Sequence, residues 1–246
     1  MSARVNRVLA GVPKGGEFAT TVHAEFSGEL HVRTLLAGSP VPEVRVGGLT
    51  HIGNLNAADK HNRSHEGQGL SVSRDPDAWQ KIARLSGDTW SIGPAEPARF
   101  LNYHELTPDQ REAIADYGVQ AGYVTREIVY RVSYWDEEAE DKVSFLERDR
   151  AAADYEAEDI EGSEIDEIPA LMATEQFKDS TVRYGDLGVD QILATVWVNE
   201  AALEFDGVWW DDNLDVDKLS APRGVIVPRA IERWVATARH YNGWTD

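Results

Sequence analysis

The sequence predicts an α+β fold, in the form of a single mixed-sheet domain with flanking helices. A chain of 246 residues can bury a sizeable core, and 42% apolar with 27% charged residues is a globular composition. Strand-like and helix-like segments mix without a regular βαβ alternation or an internal repeat, which disfavours a doubly wound sheet. We expect a flexible N-terminal arm at 1–40 and an α+β domain at 41–246 that carries an acidic insertion at 136–168.

The domain begins with one or two short strands in VPEVRVGGLTHIG, broken at Gly47-Gly48. GLSVS (69–73) predicts the next strand. Asp75 suits a helix N-cap, Pro76 suits the first helical position, and Gly87 suits the residue that ends this helix. This short helix therefore has a start and a stop signal.

The middle of the chain predicts two strands, a helix and a longer strand. DTWSI and ARFLNYHEL are strand-like. Thr107 followed by Pro108, with Gln110 at the third helical position, is a capping box that opens a helix. From Val124 to Trp135 the residues alternate, which is typical of a long, partly exposed strand.

The last third predicts mainly strands and then a helix. STVRYGDLG (180–188), QILATVWVNEAALEF (191–205) and GVWWDD (207–212) are strand-like runs. PRAIERWVATARHY (228–241) places Ile231, Trp234 and Val235 along one face, as in an amphipathic helix.

Most of the net charge of −19 lies in one block. Residues 136–167 hold fifteen acids against three bases, a net charge of −12. Within it, 142–158 predicts a solvated helix and 158–169 predicts loop or disorder. Such a block disfavours direct binding to nucleic acid, so a protein target is the expected partner; the oligomeric state stays open.

The sequence also lacks residues and segments that several kinds of functional site require. The chain has no Cys, which excludes disulfides, Cys-ligated metals and a thiol nucleophile. His61 and His65 stand four residues apart but lack a third ligand, so we expect no metal. No apolar run is long enough to cross a bilayer and the N-terminus lacks a signal-like core, so we expect a cytoplasmic protein without membrane contact.

One stretch, from Leu49 to Leu85, suggests chemistry. A strand ending in a His beside a Gly, a later SVS strand and a following helix resemble the ADP-ribosyltransferase superfamily. The resemblance implies NAD as cofactor, with a His on the ribose, a Ser-x-Ser bracing the nicotinamide pocket and a late Glu orienting the reacting groups. The residues it implies are His51, Ser73 and Glu204 for catalysis, with Glu200 as the alternative carboxylate, and Ser71 and Gly53 for the cofactor.

A second stretch, GVWWDDNLDVDKLSAPRG, holds a tandem Trp and an Arg in a Pro-set turn. Trp209 and Arg223 would offer a stacking wall and an anion contact to a bound nucleotide. The alternative is a core Trp beside a structural turn. Tandem residues of a strand point to opposite faces, so one Trp at most lines a cleft.

A different function is also open. GVPKGGEFA (11–19) resembles a segment of uncharacterised proteins from actinobacterial phages and plasmids. Together with the acidic block, that resemblance favours a non-catalytic acidic interaction protein of mobile-element origin, which binds a host protein through 136–167.

Overall fold

The computed structural model describes residues 40–55, 67–82, 84–93, 96–137, 140–175, 177, 189–212 and 221–241. Its larger sheet has eight strands, in the order β1-β5-β9-β10-β3-β2-β4-β11. The strands are β1 (Glu43–Val46), β2 (Thr50–Ile52), β3 (Leu70–Ser73), β4 (Thr89–Ser91), β5 (Ala98–Asn102), β9 (Gly207–Trp210), β10 (Arg223–Ile226) and β11 (Arg239–His240).

Neighbouring strands of this sheet run antiparallel except for β5 and β9, which are parallel. Phe100 pairs with Gly207 and Asn102 with Trp209 in that parallel register. The carboxyl ends of β5 and β9 therefore meet at the same edge of the sheet. This mixed sheet confirms the predicted fold class.

Five helices lie in the described part of the chain. They are α1 (Pro76–Ile82), α2 (Pro108–Gln120), α3 (Arg150–Glu158), α4 (Val189–Glu200) and α5 (Pro228–Val235).

The predicted N-terminal caps of α1 and α2 are confirmed. At α1, the Asp75 carboxylate accepts the Ala78 N–H at 2.9 Å. At α2, the Thr107 hydroxyl accepts the Gln110 N–H at 3.2 Å, and the Gln110 side chain accepts the Thr107 N–H at 2.9 Å. The predicted stop at Gly87 was wrong, because α1 already ends at Ile82.

The strand predicted for 191–205 was also wrong, since this segment forms α4 and then a turn. Val189, Ile192, Leu193, Trp197 and Val198 are all buried, so apolar residues surround most of the helix. A short run that is apolar on every side does not reveal its period. Packing of α4 against α2 and β9 decides in favour of the helix.

The remaining strands form a second, three-stranded antiparallel sheet with α3 packed on it. We call residues 124–173 the acidic lobe. Its strands are β6 (Val124–Asp136), β7 (Asp141–Glu147) and β8 (Glu164–Ala173), in the order β7-β6-β8. The long strand predicted from Val124 is confirmed.

The structure of the lobe differs from the prediction for the acidic block. Residues 142–147 belong to β7 and not to a helix, and 164–169 belong to β8 and not to loop or disorder. Cross-strand ion pairs accompany this pairing: Arg131 to Asp166 at 2.9 Å and Lys142 to Glu164 at 2.6 Å. The high charge density predicted a solvated segment. In the structure β6 lies between β7 and β8 and pairs with both, so the charged residues belong to a regular sheet.

The lobe joins the rest of the molecule at its base. Val124 and Ala173 are 1% exposed and belong to the main core. Farther along, Val129, Val132 and Ala153 are 0% exposed, so the lobe also buries side chains of its own. The block is thus part of a folded unit that begins before Asp136.

Three sequence-based predictions lie wholly or mostly outside the described residues: the N-terminal arm at 1–40, of which only residue 40 is described, the strand at 180–188, and the pair His61 and His65. Within the described ranges, no helix is long and apolar enough to cross a membrane.

Candidate functional site

His51 lies in β2 and is 4% exposed. Its Nδ1 is 2.7 Å from the carbonyl oxygen of Ser71, and its Nε2 is 3.2 Å from that of Asn54. Both ring nitrogens therefore face backbone acceptors. In the neutral imidazole one of the two nitrogens donates, either to Ser71 in β3 or to Asn54 in its own turn, and neither nitrogen is directed at a ligand.

Ser73 at the end of β3 serves the start of α1. Its hydroxyl accepts the Asp75 N–H at 3.0 Å and lies 3.2 Å from the Asp75 carbonyl oxygen. Gly53 has φ +118 and donates its N–H to Asp88, while its carbonyl accepts from the Trp90 indole. Ser73 thus closes a local turn, and Gly53 joins the end of β2 to the start of β4.

The two candidate glutamates lie elsewhere. Glu204 is exposed in the turn after α4, at the amino end of β9. Ser73 lies near the opposite end of β9, because Arg223 of β10 pairs with Ser73 on one side and with Trp210 on the other. The expectation that Glu204 lies on a strand was therefore wrong. Glu200 ends α4.

Glu200 joins α4 to the base of the acidic lobe. Its carboxylate accepts the hydroxyl of Tyr117 and, at 3.0 Å, that of Tyr123. Burial and the nearby Glu200 charge raise the pKa of Tyr123 above its ordinary range. The structure pairs Glu200 with these tyrosines rather than with His51 or Ser73.

Ser71, Ser73 and Arg223 lie on adjacent strands β3 and β10, where Arg223 pairs with Ser73 and Val225 with Ser71. Trp209 is 2% exposed and packs on Phe100, with ring centroids 5.5 Å apart, so it is a core residue and not part of a rim. Its neighbour Trp210 instead lies 5.9 Å from the Arg223 guanidinium.

Sequence reasoning missed a cluster at the shared edge of β5 and β9. The Asp212 carboxylate bridges two side chains: it accepts from Arg223 and lies 2.7 Å from Nε2 of His104. The Arg223 side chain is 17% exposed, and its guanidinium is also 5.8 Å from the Trp79 ring. The His104 side chain is 45% exposed.

This cluster has limited chemical capacity. Asp212 neutralises the half-buried Arg223 and orients the His104 ring. In the described ranges no group of three His, Asp or Glu side chains could hold a metal ion. A signal was present, since His104 follows β5 and Asp212 follows β9, but only the parallel pairing makes them neighbours.

A small cavity lies beside Tyr103, between α2 and α4. Its volume of about 20 Å³ accommodates roughly one water molecule and not a dinucleotide. The Tyr103 hydroxyl donates to Asp190, and the Arg111 guanidinium lies 4.4 Å from the Tyr103 ring. Burial, followed by the Asp190 carboxylate, raises the pKa of Tyr103 above its ordinary range.

His51 makes stability depend on pH. Burial lowers the pKa of His51 from its ordinary value, although its two carbonyl contacts oppose this. The unfolded chain therefore takes up a proton at a higher pH than the folded chain. Stability should fall as the pH drops below about 6.5, the ordinary His value. We expect the Tm to fall more between pH 7.5 and 5.5 in the wild type than in His51→Gln.

The exposed His240 supplies the control, because His240→Gln should keep the wild-type pH dependence. An identical slope in wild type and His51→Gln would show that other groups produce it.

The described geometry does not bring His51, Ser73 and a glutamate together in one cleft. NAD binding accordingly remains a prediction from the sequence resemblance. Compared with protein-family models, curated proteins and solved structures, the chain shows no match.

Proposed function

We propose that this chain is a non-catalytic protein-binding module that docks through its acidic lobe. The observation that carries the proposal is the exposure of large apolar side chains on the most charged unit of the molecule. Tyr155 is 73% exposed and Trp135 62%. Tyr and Trp supply much of the binding energy at protein interfaces when the contacts around them exclude water.

The buried side chains of the lobe support docking without a change of its fold. Val129, Val132 and Ala153 are fully buried within it, and Glu200 accepts the hydroxyl of Tyr123, the residue that precedes the lobe. A rigid element loses little conformational entropy on binding. The net charge of −12 on residues 136–167 would also attract a basic partner from a distance.

Site-specific photocrosslinking tests the proposal. A benzophenone amino acid replaces Trp135 or Tyr155, and the full chain is irradiated in a lysate of the organism that encodes it. We expect both positions to form an adduct with the same protein. Excess wild-type chain should suppress that adduct, whereas excess of a Trp135→Ala, Tyr155→Ala double variant should not.

Leu203 provides a matched control, since it is 56% exposed in the turn after α4. The same photoprobe at Leu203 should yield no adduct with that protein. Equal labelling from Leu203, or no adduct from either lobe position, would contradict docking through the lobe.

Calorimetry with NAD separates this proposal from the ADP-ribosyltransferase hypothesis. Because His51 and Ser73 are engaged by the backbone, we expect no binding heat up to millimolar NAD. Heat that disappears in Arg223→Gln, together with nicotinamide release, would instead support the NAD-dependent enzyme.

A further inference from the structure

We infer that β7 is the docking edge of the acidic lobe, to which an extended segment of the partner adds as a further strand. One face of that segment carries two apolar side chains between two lysines or arginines. This inference rests on the proposed function and names the chemistry of its partner. β7 (Asp141–Glu147) pairs only with β6 in the described part of the chain. An edge strand offers a row of backbone groups with which another chain can pair.

The hydrogen bonds of β7 show which backbone groups point outward. The Lys142 N–H donates to the carboxylate of its neighbour Asp141 at 2.7 Å, so it points away from β6. In an antiparallel ladder, residues two apart face the same partner strand. The N–H and C=O groups of Ser144 and Leu146 therefore also point outward, and Ser144 is exposed. β7 thus offers outward positions at 142, 144 and 146.

The other edge of the lobe, β8, is less suited to an added strand. Just beyond β8, the Thr174 N–H donates to the Tyr123 carbonyl oxygen at 3.0 Å, which places alternate residues from 165 to 173 on the outward side. Pro169 is one of them and has no N–H to donate. The Ala173 carbonyl oxygen also points outward, and it already accepts from Arg148 at 3.2 Å. The observations therefore favour β7.

The side chains of β7 specify the segment that fits. Four of them share one face of the sheet, because residues two apart in a strand point the same way. They are Asp141, Val143, Phe145 and Glu147. The middle two are half-buried, and Phe145 pairs with the fully buried Val132. An added strand sets one side chain opposite each of the four, so apolar residues in the middle and basic residues at both ends complement this face.

Charge decides between a basic segment and a second copy of this chain. Two copies of β7 paired antiparallel about Ser144 would set Asp141 of each copy opposite Glu147 of the other, which is destabilising. Lys142 pairs with Glu164, and no ion pair of the described residues engages Asp141 or Glu147. Both acids are therefore available to cations. The net charge of −12 on residues 136–167 repels a second copy and attracts a basic segment.

The probe is a synthetic peptide of seven residues that reads the same in both directions. It has lysine at both ends, valine at the third and fifth positions and threonine elsewhere. Centred on Ser144, it sets its lysines against the two acids of β7 and its valines against Val143 and Phe145. Fluorescence anisotropy of a dye-labelled peptide follows its binding to the full chain. We expect saturable binding below about 1 mM, and none for the same peptide with glutamate in place of lysine.

Methylation of one backbone nitrogen of the peptide separates strand addition from simple attraction between charges. In the antiparallel pairing, the N–H of the fourth residue points at Ser144, whereas that of the third residue points away from β7. We expect an N-methyl group on the fourth residue to weaken binding at least about tenfold, and one on the third to change it less than about twofold.

Substitutions in the full chain test the register. Asp141→Asn with Glu147→Gln should weaken binding of the lysine peptide about threefold or more, because two cross-strand ion pairs are lost. The asparagine oxygen can still accept the Lys142 N–H, so the edge keeps its shape. The matched control is Glu156→Gln with Glu158→Gln, which changes the net charge equally at exposed sites on α3. It should bind the peptide like the wild type.

Four results would overturn the inference: no binding of the lysine peptide, equal binding of the glutamate peptide, equal effects of the two N-methyl groups, or equal losses in the two double variants. The photocrosslinking result is independent of them, because its probes replace Trp135 on β6 and Tyr155 on α3. An adduct at both positions without peptide binding would keep the proposed function and reject strand addition at β7.

Discussion

Gly207→Ala should cost about 3 kcal/mol or more of unfolding free energy. Gly207 lies in β9, between β5 and β10. A methyl group there would stand 1.9 Å from the Val225 carbonyl oxygen and 2.9 Å from Cε1 of Phe100. The carbonyl is backbone in the middle of the sheet, so no rotamer change relieves the overlap. β9 and β10 would have to separate.

Thermal unfolding monitored by circular dichroism measures this effect. For a chain of this size we expect the Tm to fall by about 6–12 °C. Gly47→Ala is the matched control, because Gly47 is exposed and its added methyl group meets Pro97 only at 3.9 Å. A Tm for Gly207→Ala within a degree or two of the Gly47→Ala value would contradict the tight β9–β10 contact.

Arg229→Met should destabilise the protein by about 2–4 kcal/mol. The Arg229 guanidinium donates to backbone carbonyls at the end of α4 and in the following turn. The acceptors are the carbonyls of Val198, Asn199, Ala202 and Phe205. Val198 and Asn199 lie in the last turn of α4, where carbonyls lack a helical partner. Loss of the guanidinium therefore removes the donor from these two carbonyls and from that of Phe205 at once, whereas the Ala202 carbonyl keeps the Phe205 N–H at 3.1 Å.

Two further variants isolate the cause of that loss. Arg229→Lys keeps the charge but not the fork of N–H groups, so it should recover less than half of the stability. Arg45→Met removes a 66% exposed guanidinium that pairs with Glu43, and it should cost less than about 1 kcal/mol. Equal effects of Arg229→Met and Arg45→Met in chemical denaturation would contradict the capping role.

Local signals were sufficient for the elements whose ends are set by a neighbouring side chain. The Thr107–Gln110 capping box and the Asp75 cap each involve atoms within three residues, and both were predicted. The strand from Val124 was recognisable from its alternation. α4 and β8 were not recognisable, because their conformation depends on distant partners: α2 and β9 for α4, and β6 for β8.

The site was harder to predict for the same reason. His51 and Ser73 were singled out by residue type and spacing, but their carbonyl and amide partners become visible only in three dimensions. His104 and Asp212 are 108 positions apart, and only the parallel pairing of β5 with β9 joins them. Residue types within a motif did not reveal whether backbone groups already engage them.

The strand order of the large sheet also has a consequence for biosynthesis. β9 and β10 lie between β5 and β3, yet they are among the last strands in the chain. While a ribosome makes the protein, β1 and β5 on one side and β2, β3 and β4 on the other have no bridge until residues past 226 emerge. The strands of the acidic lobe, in contrast, are complete at residue 173. The acidic lobe can therefore pair its strands while the large apolar sheet still lacks β9 and β10. The negative charges of the lobe then oppose association between unfinished chains.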